Sequence, residues 1–511
     1  MTRGHTNTAP LSLLLELAGD EDQLAVFSAA QVVESWLAAE RALALAQAEQ
    51  GILTRGDAEA IVGAARAESI DTASLWQTAR VVGYPVLGLV RQVAAALPAG
   101  PEGRIHYGAT TQDIMDTGLA LQLNRSLAGL DRLLGAVGDT LADRVTEYAD
   151  AIMAARTHAQ QAVPTTFGAT LGTLLAQFAR HRQRLAEALP RVARVSLFGA
   201  GGTSAALGPK AGAIRAGMAR ILELHDSPVP WHVDRDTIAE YGWWCATVTG
   251  ACAKFARNII DLSRTEIAEA FEPFESHRGA SSTMPQKVNP ISSEIIVGAA
   301  ATTSALTSAL LRMQEAGHER AAGEWQLEWQ IVPQLGVLAG TALRATLTVL
   351  TGLRVDRDRM RANLAQDSGL VMAEAHMIAL ASSLGRERAH DLVYEAAAKA
   401  RTSGRTLAET LPEIGAAQSL DPALSGAVAR TPQNYLGRAR AIAEASVRLW
   451  HDTPAATADP KPLHELAVRG MSGRRVKGHT DFRTVLRRIL HRAREPAEER
   501  IVRWLSCRVR R

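Results

Sequence analysis

Between Arg278 and Pro290 the chain places two adjacent hydroxyls, Ser281 and Ser282, a lysine, Lys287, and an amide, Asn289, in one short loop opened by Gly279 and the small Ala280. A hydroxyl can be converted into a base or nucleophile, and an ammonium beside a carboxamide suits a carboxylate. Asn289-Pro290 then starts a helix: Asn caps, Pro fits the first turn, and Glu294 lies close to the positive end of the dipole. A plain surface loop before a helix has the same composition. What sets this one apart is its company elsewhere in the chain.

His106 to Thr117 joins a glycine turn to Thr110, Thr111, Gln112, Asp113 and Asp116, ahead of a long helix expected over 119–145. Such a cluster can donate hydrogen bonds to an anion at a helix start, and it equally fits a capped helix in which a Thr serves the backbone. Arg156 to Gly168 carries Thr157, His158 and Gln160, and an imidazole there is a candidate to exchange protons or bind an anion. Gly199 to Gly208, with Thr203, lacks the glycine spacing and the strand–helix–strand surroundings of a dinucleotide loop. Arg235, within Trp231 to Glu240, offers a bidentate fork to an anion or to a neighbouring carboxylate. His318 to Trp329 has no chemical role that its residues define.

Ser281-Ser-Thr-Met-Pro-Gln-Lys-Val-Asn-Pro290 resembles the signature loop of the fumarase/aspartase superfamily of lyases. His106–Thr117 and Arg156–Gly168 resemble two further signature regions of that family, and Trp231–Glu240 and His318–Trp329 are similar to its 3-carboxymuconate cycloisomerase-like branch. The likeness covers about residues 15 to 450. It implies Ser281, over Ser282, as the base that removes a proton next to a carboxylate; Ala280 stands where the family usually has Gly. It pairs His158 with Glu294 by a hydrogen bond that would raise the imidazole pKa. Thr110, Thr111, Gln112 and Asp113 are expected around the substrate, with Thr157, Gln160, Thr203 and Arg235, and with Ser282, Met284, Lys287 and Asn289 of the loop. The family works without metal or other cofactor, and its active sites gather residues from three subunits of a homotetramer.

The reaction implied is a β-elimination that releases fumarate from a substituted succinate. Cycloisomerase relatives carry Arg where this chain has Val288, which removes an anion-binding fork and favours a compact four-carbon acid. Nitrosuccinate, yielding fumarate and nitrite, is the first expectation. The alternatives are 3-carboxymuconate cycloisomerisation, another carbon–nitrogen lyase acting on adenylosuccinate, argininosuccinate or aspartate, or a non-catalytic structural relative.

Holding these segments in place requires a large scaffold, and 511 residues suffice for about three domains. Aromatics are only 5% and long Ala/Leu-rich stretches lack strand alternation, so a mostly helical chain is expected. Together with the resemblance this predicts an all-α, three-domain fold with a central long-helix bundle forming a tetramer core. The expected divisions are 1–112, a central bundle over 113–365, a C-terminal helical domain over 366–452, and a basic tail over 453–511 that begins with a linker. Three cysteines without paired spacing argue against a disulfide framework and suit a reducing cytoplasm. The polar start fails as a signal peptide, and no uninterrupted apolar span of about 18 residues is seen, which predicts no membrane association. The net charge of +3 hides a tail with ten more basic than acidic residues from Lys461 onward. Without aromatic interleaving, that tail reads as solvated and nucleic acid is not expected as a partner.

Overall fold

The computed structural model describes residues 13–320, 323–418 and 431–466. The helices that position the site, labelled in chain order, are α1 (Ala29–Glu49), α2 (Thr111–Glu147), α3 (Phe167–Val192), α4 (Asp236–Leu262), α5 (Ile291–Leu311), α6 (Glu324–Thr351), α7 (Ala373–Leu384), α8 (Arg386–Ser403), α9 (Leu407–Ala417) and α10 (Ala439–His451). Two small antiparallel pairs accompany them: β1 (Ile152–Thr157) with β2 (Gln160–Thr166), and β3 (Ala270–Phe271) with β4 (Arg354–Val355). The hairpin was not foreseen, because its strands are short and one carries a register shift between Ala154 and Arg156.

Helices α2 to α6 pack side by side around a core that includes Leu134, Phe178, Trp244, Leu335 and Leu343. Helix α2 runs for 37 residues and begins at Thr111, eight residues earlier than expected. A capping box starts it: Thr110 and Asp113 satisfy each other's backbone N–H groups. Small residues set how closely helices approach. A Cβ on Gly138 would lie 2.0 Å from the Trp450 ring, so only glycine lets α10 sit on α2, where Trp450 Nε1 donates to Asp139 Oδ1 at 2.7 Å. Helix α10, expected in a separate C-terminal domain, therefore packs on α2 and α3 of the bundle, while α7 to α9 keep a core of their own around Leu380, Leu392 and Leu411.

Two further expectations differ from the structure. The stretch after Asp452 does not hang free as a linker: Ala456 and Thr457 donate backbone N–H bonds to Asp131 at 2.9 and 3.1 Å, and Arg41 donates to the carbonyl of Leu463 at 3.2 Å. The described residues belong to one compact unit, and most of the basic tail, from 467 onward, lies outside them. Residues 291–315 form a helical stretch with mean hydropathy 1.4, long and apolar enough by composition to cross a membrane, although none was expected. Interspersed Ser and Thr mask the run in the sequence. Its helix α5 lies against α4 and α6, yet only 28% of its apolar window is buried within one chain.

Candidate active site

At the N-terminal end of α2 the sequence-named cluster is built around a buried carboxylate. Asp113 Oδ1 accepts from Phe198 N at 2.9 Å, Ser196 Oγ at 3.1 Å and His232 Nε2 at 2.8 Å; Oδ2 accepts from Gly199 N at 2.8 Å and Thr110 N at 3.0 Å. Burial pushes this carboxyl up, but His232 and the Phe198 and Thr110 N–H groups outweigh it and hold the pKa below the ordinary value. Asp113 is thus a structural hub that ties the glycine-rich turn to α2, and with its oxygens so engaged it is not a substrate contact. Gln112 is also buried, donating from Nε2 to the carbonyl of His232 at 2.8 Å. Thr111 is half-buried and Thr203 exposed on the turn. Of the two readings of this segment the capped helix is the one seen, and Thr110 and Thr111 remain beside it as a half-buried polar rim.

That rim gains a cation which local sequence did not disclose. Arg320, from the stretch that had no assigned role, donates from Nε to Gln112 Oε1 at 2.9 Å and from Nη1 to Thr110 Oγ1 at 3.3 Å. Its Nη2 is buried without a hydrogen-bond partner. A guanidinium held on two sides with an unfilled N–H is suited to an incoming oxyanion. Only the fold brings it 208 positions along the chain to Gln112.

The loop forms a pinched neck with an exposed crown. Asn289 N and Nδ2 both donate to the carbonyl of Gly279, at 2.8 and 3.0 Å, and Ala280 bridges Val288. Gly279 is not a flexible hinge, as its composition suggested. Its φ is +67° and a Cβ would meet Asn289 O at 2.3 Å, so the crossing demands glycine. Asn289 clasps this neck and does not cap α5; the cap is Glu272, whose carboxylate accepts from Ser292 N at 3.2 Å and Ser293 N at 2.7 Å. Arg278 sits over the same carboxylate at 3.7 Å and donates to Ser292 Oγ. In the crown, Ser281 Oγ accepts from Thr283 N at 3.3 Å and Met284 N at 3.1 Å. Two amide donors on one hydroxyl oxygen favour its ionised form. Ser282, Met284 and Lys287 are exposed, and Lys287 has no partner among the described residues.

The third group stands apart. His158 and Ala159 form the two-residue turn between β1 and β2 with φ of 49° and 64°, a conformation glycine or asparagine adopts more readily. Arg156 braces the hairpin through a bidentate pair with the buried Glu269, at 2.9 and 2.6 Å. Thr157, His158 and Gln160 are exposed at its tip, and Glu294 is exposed near the start of α5. The expected His158–Glu294 hydrogen bond is not made within the chain, because each side chain faces outward from a different element. No hydrogen bond among the described residues joins the α2 cluster, the loop crown and the hairpin tip.

Arg235 is corrected outright. It is buried, forks onto Asp116 at 3.0 and 3.1 Å, and grips Glu328 at 2.5 Å with both Nε and Nη2, leaving no capacity for a substrate anion. Burial lifts Glu328 to about 7 against the pull of the guanidinium. Beside this triad lies a cavity of about 350 Å³, lined by Trp36, Trp76, Trp325 and Trp329 together with Asp116 and Glu328, and none of the residues expected around the substrate lines it.

Comparison with known proteins identifies the family. Residues 15–303 match the lyase family model, and residues 369–445 match the adenylosuccinate lyase C-terminus model. The chain is 40% identical to a 3-carboxy-cis,cis-muconate cycloisomerase of Pseudomonas aeruginosa over 84% of its own length and 94% of that protein's. It is 38% identical to trans-aconitate decarboxylase 1 of Mycosarcoma maydis, covering 83% of this chain and 86% of the other. The crystal structure of 3-carboxy-cis,cis-muconate lactonizing enzyme from Pseudomonas putida superposes with a TM-score of 0.80 at 36% identity, covering 87% of this chain and all of that one. The all-α long-helix fold and the serine loop define a lyase, and the chain belongs to the fumarase/aspartase superfamily, in its 3-carboxymuconate cycloisomerase-like branch.

Proposed function

We propose that this lyase acts on a small polycarboxylate by moving a proton at the carbon beside a carboxylate, in the manner of a 3-carboxymuconate cycloisomerase. The observation that carries the reading is Ser281 Oγ receiving two backbone N–H bonds in an exposed crown. Such donors stabilise an alkoxide, and water exclusion on closure would strengthen them. As the proton leaves, charge builds on the adjoining carboxylate. Lys287 and the free Nη2 of Arg320 are the cations assigned to it, with Thr110 at the helix start. His158 and Glu294 are assigned to the second carboxylate or to proton delivery at the opposite face. In the cycloisomerase reading the group added or expelled across the double bond is a carboxylate oxygen of the same molecule. The relatives' names, a carboxymuconate cycloisomerase and a trans-aconitate decarboxylase, support an unsaturated polycarboxylate.

A second reading rests on Val288, half exposed at the loop neck where cycloisomerase relatives carry Arg. It favours a compact substituted succinate, nitrosuccinate first, cleaved to fumarate and nitrite. Carboxymuconate, nitrosuccinate, aspartate, argininosuccinate, adenylosuccinate and malate, assayed by ultraviolet absorbance, separate the two. Turnover of none of them would remove both.

Because the three residue groups do not meet within one chain, we infer a homotetramer with shared sites. The apolar, largely uncovered α5 supports it. Mixing Ser281→Ala subunits with His158→Asn subunits tests this directly: shared sites restore activity to the mixture, and two inactive parents that stay inactive together would refute it.

A further inference from the structure

The family reading leaves His106 and Glu40 without a role. Glu40 lies midway along α1 with its side chain 1% exposed, and its Oε1 is 2.6 Å from His106 Nδ1. Its other oxygen, Oε2, is buried with no partner. A buried carboxylate with one oxygen unsatisfied is costly, and the imidazole is the group that offsets the cost. Two turns further along the same face of α1, Gln47 Nε2 donates to the carbonyl of Tyr107 at 2.7 Å. Segment 106–107 is thereby docked on α1 at two points. His106 itself has a φ of +60°, a backbone state that a histidine holds only where its surroundings over-determine it.

This docking fixes the segment that leads directly into the rim already described. His106 lies four residues before the Thr110 cap, its carbonyl accepts from Ala109 N at 3.3 Å, and a Cβ on Gly108 would lie 2.5 Å from Leu207 of the glycine-rich turn. The ring is one-fifth exposed; Nδ1 is taken by Glu40, and Nε2 is neither buried nor bonded among the described residues. We propose that Glu40 is a positioning residue: its carboxylate clamps Nδ1 of His106 so that Nε2–H is presented as an anion contact on the rim that carries Thr110 and Arg320.

The charges around the ring agree with that role. Burial pulls the imidazole pKa down, but Glu40 from α1 and, more weakly, Asp113 from α2 outweigh it, and the net direction is up. Asp113 is itself bound by His232, and Arg320 lies on the Thr110–Gln112 side. The imidazolium thus supplies a cation to a chain whose loop carries Val288 in place of Arg. This inference rests on the polycarboxylate reading for the identity of its ligand, though not for the Glu40–His106 coupling.

The test uses the full-length assembled enzyme with succinate and tricarballylate as unreactive probes, their dissociation constants measured by calorimetry from pH 6 to 9. In the parent, binding weakens as pH rises through the His106 titration. In Glu40→Gln that weakening begins about one pH unit lower, so affinity falls about threefold midway between the two titrations and about tenfold above both. In His106→Asn the pH dependence attributable to this step is gone, and the double variant binds no worse than His106→Asn alone. Independently of any ligand, the rate at which diethyl pyrocarbonate modifies His106, followed by peptide mass spectrometry across pH, reports a higher titration point in the parent than in Glu40→Gln. An unchanged alkaline limb in Glu40→Gln, or an unchanged binding profile in His106→Asn, would overturn the proposal. Failure of both probes to bind the parent, with the modification shift intact, would strike the polycarboxylate reading and leave the coupling standing.

Discussion

The two ends of the candidate site are built on opposite principles. Around Asp113 and Arg235 polar groups are buried and bonded, with five donors on Asp113 and two carboxylates on Arg235, so geometry is set before any ligand arrives. In the loop crown, at the hairpin tip and near the start of α5, Lys287, His158 and Glu294 are exposed and Ser281 is half-buried, with few or no side-chain partners. The first region carries its order internally, whereas the second is rigid only at its base, through the Gly279–Asn289 neck and the Arg156–Glu269 brace. Chemistry that needs a water-free pocket is therefore assigned to surfaces that something else must cover.

Substitutions should separate the two ends. The largest effect is expected at Arg235→Ala, which strands Asp116 and Glu328 without their cation and costs about 5 kcal/mol of stability, measured by denaturant unfolding. If the variant keeps its stability and instead loses only affinity for substrate, Arg235 belongs to the binding surface and the contrast fails. Ser281→Ala should cut kcat by about a thousandfold, equivalent to about 4 kcal/mol of barrier, with stability changed by less than about 1 kcal/mol. Activity near the parent's would remove Ser281 as the base.

The buried end also has an acid signature. The Asp113 carboxyl is held below its ordinary 3.8, so its contribution is complete above that pH and is lost as pH falls through the lower folded value. Acid unfolding of Asp113→Asn should lack that component, and a parent-like acid limb would show that the hub is not what titrates. At the hairpin tip His158→Asn relieves a left-handed histidine, and melting should report up to about 1 kcal/mol of added stability together with lost turnover. A destabilised variant would show that the ring makes contacts holding the turn. The smallest change in stability, within about 0.5 kcal/mol, is expected for Val288→Arg at an exposed position, with KM falling for tricarboxylates relative to four-carbon acids. Unchanged preference would remove Val288 as a determinant of substrate size.

Much of the architecture was readable without coordinates. Helix α1 follows from the near-helical spacing of apolar positions between Val26 and Gln50, and α4 and α5 from the low-polarity runs 241–269 and 291–313. The hairpin was missed because strands of six and seven residues, one with a register shift and the other with a proline, carry little alternation. Asn289 was misread as a cap because local rules favour Asn before Pro, whereas Glu272, 20 positions upstream, reaches the helix end first.

Composition and the length of its low-polarity runs by themselves determined that this chain is mostly helical, and the resemblance of Ser281–Pro290 to a family signature marked it as a lyase. Tertiary structure alone decided which charged side chains remain available. Arg235 is neutralised by Glu328, 93 positions away, while Arg320 is drawn to Thr110 with one N–H unfilled. Both are arginines among mixed polar neighbours, and no local pattern distinguishes them. A guanidinium's role depends on which oxygens surround it in space, and that is fixed only when distant helices pack.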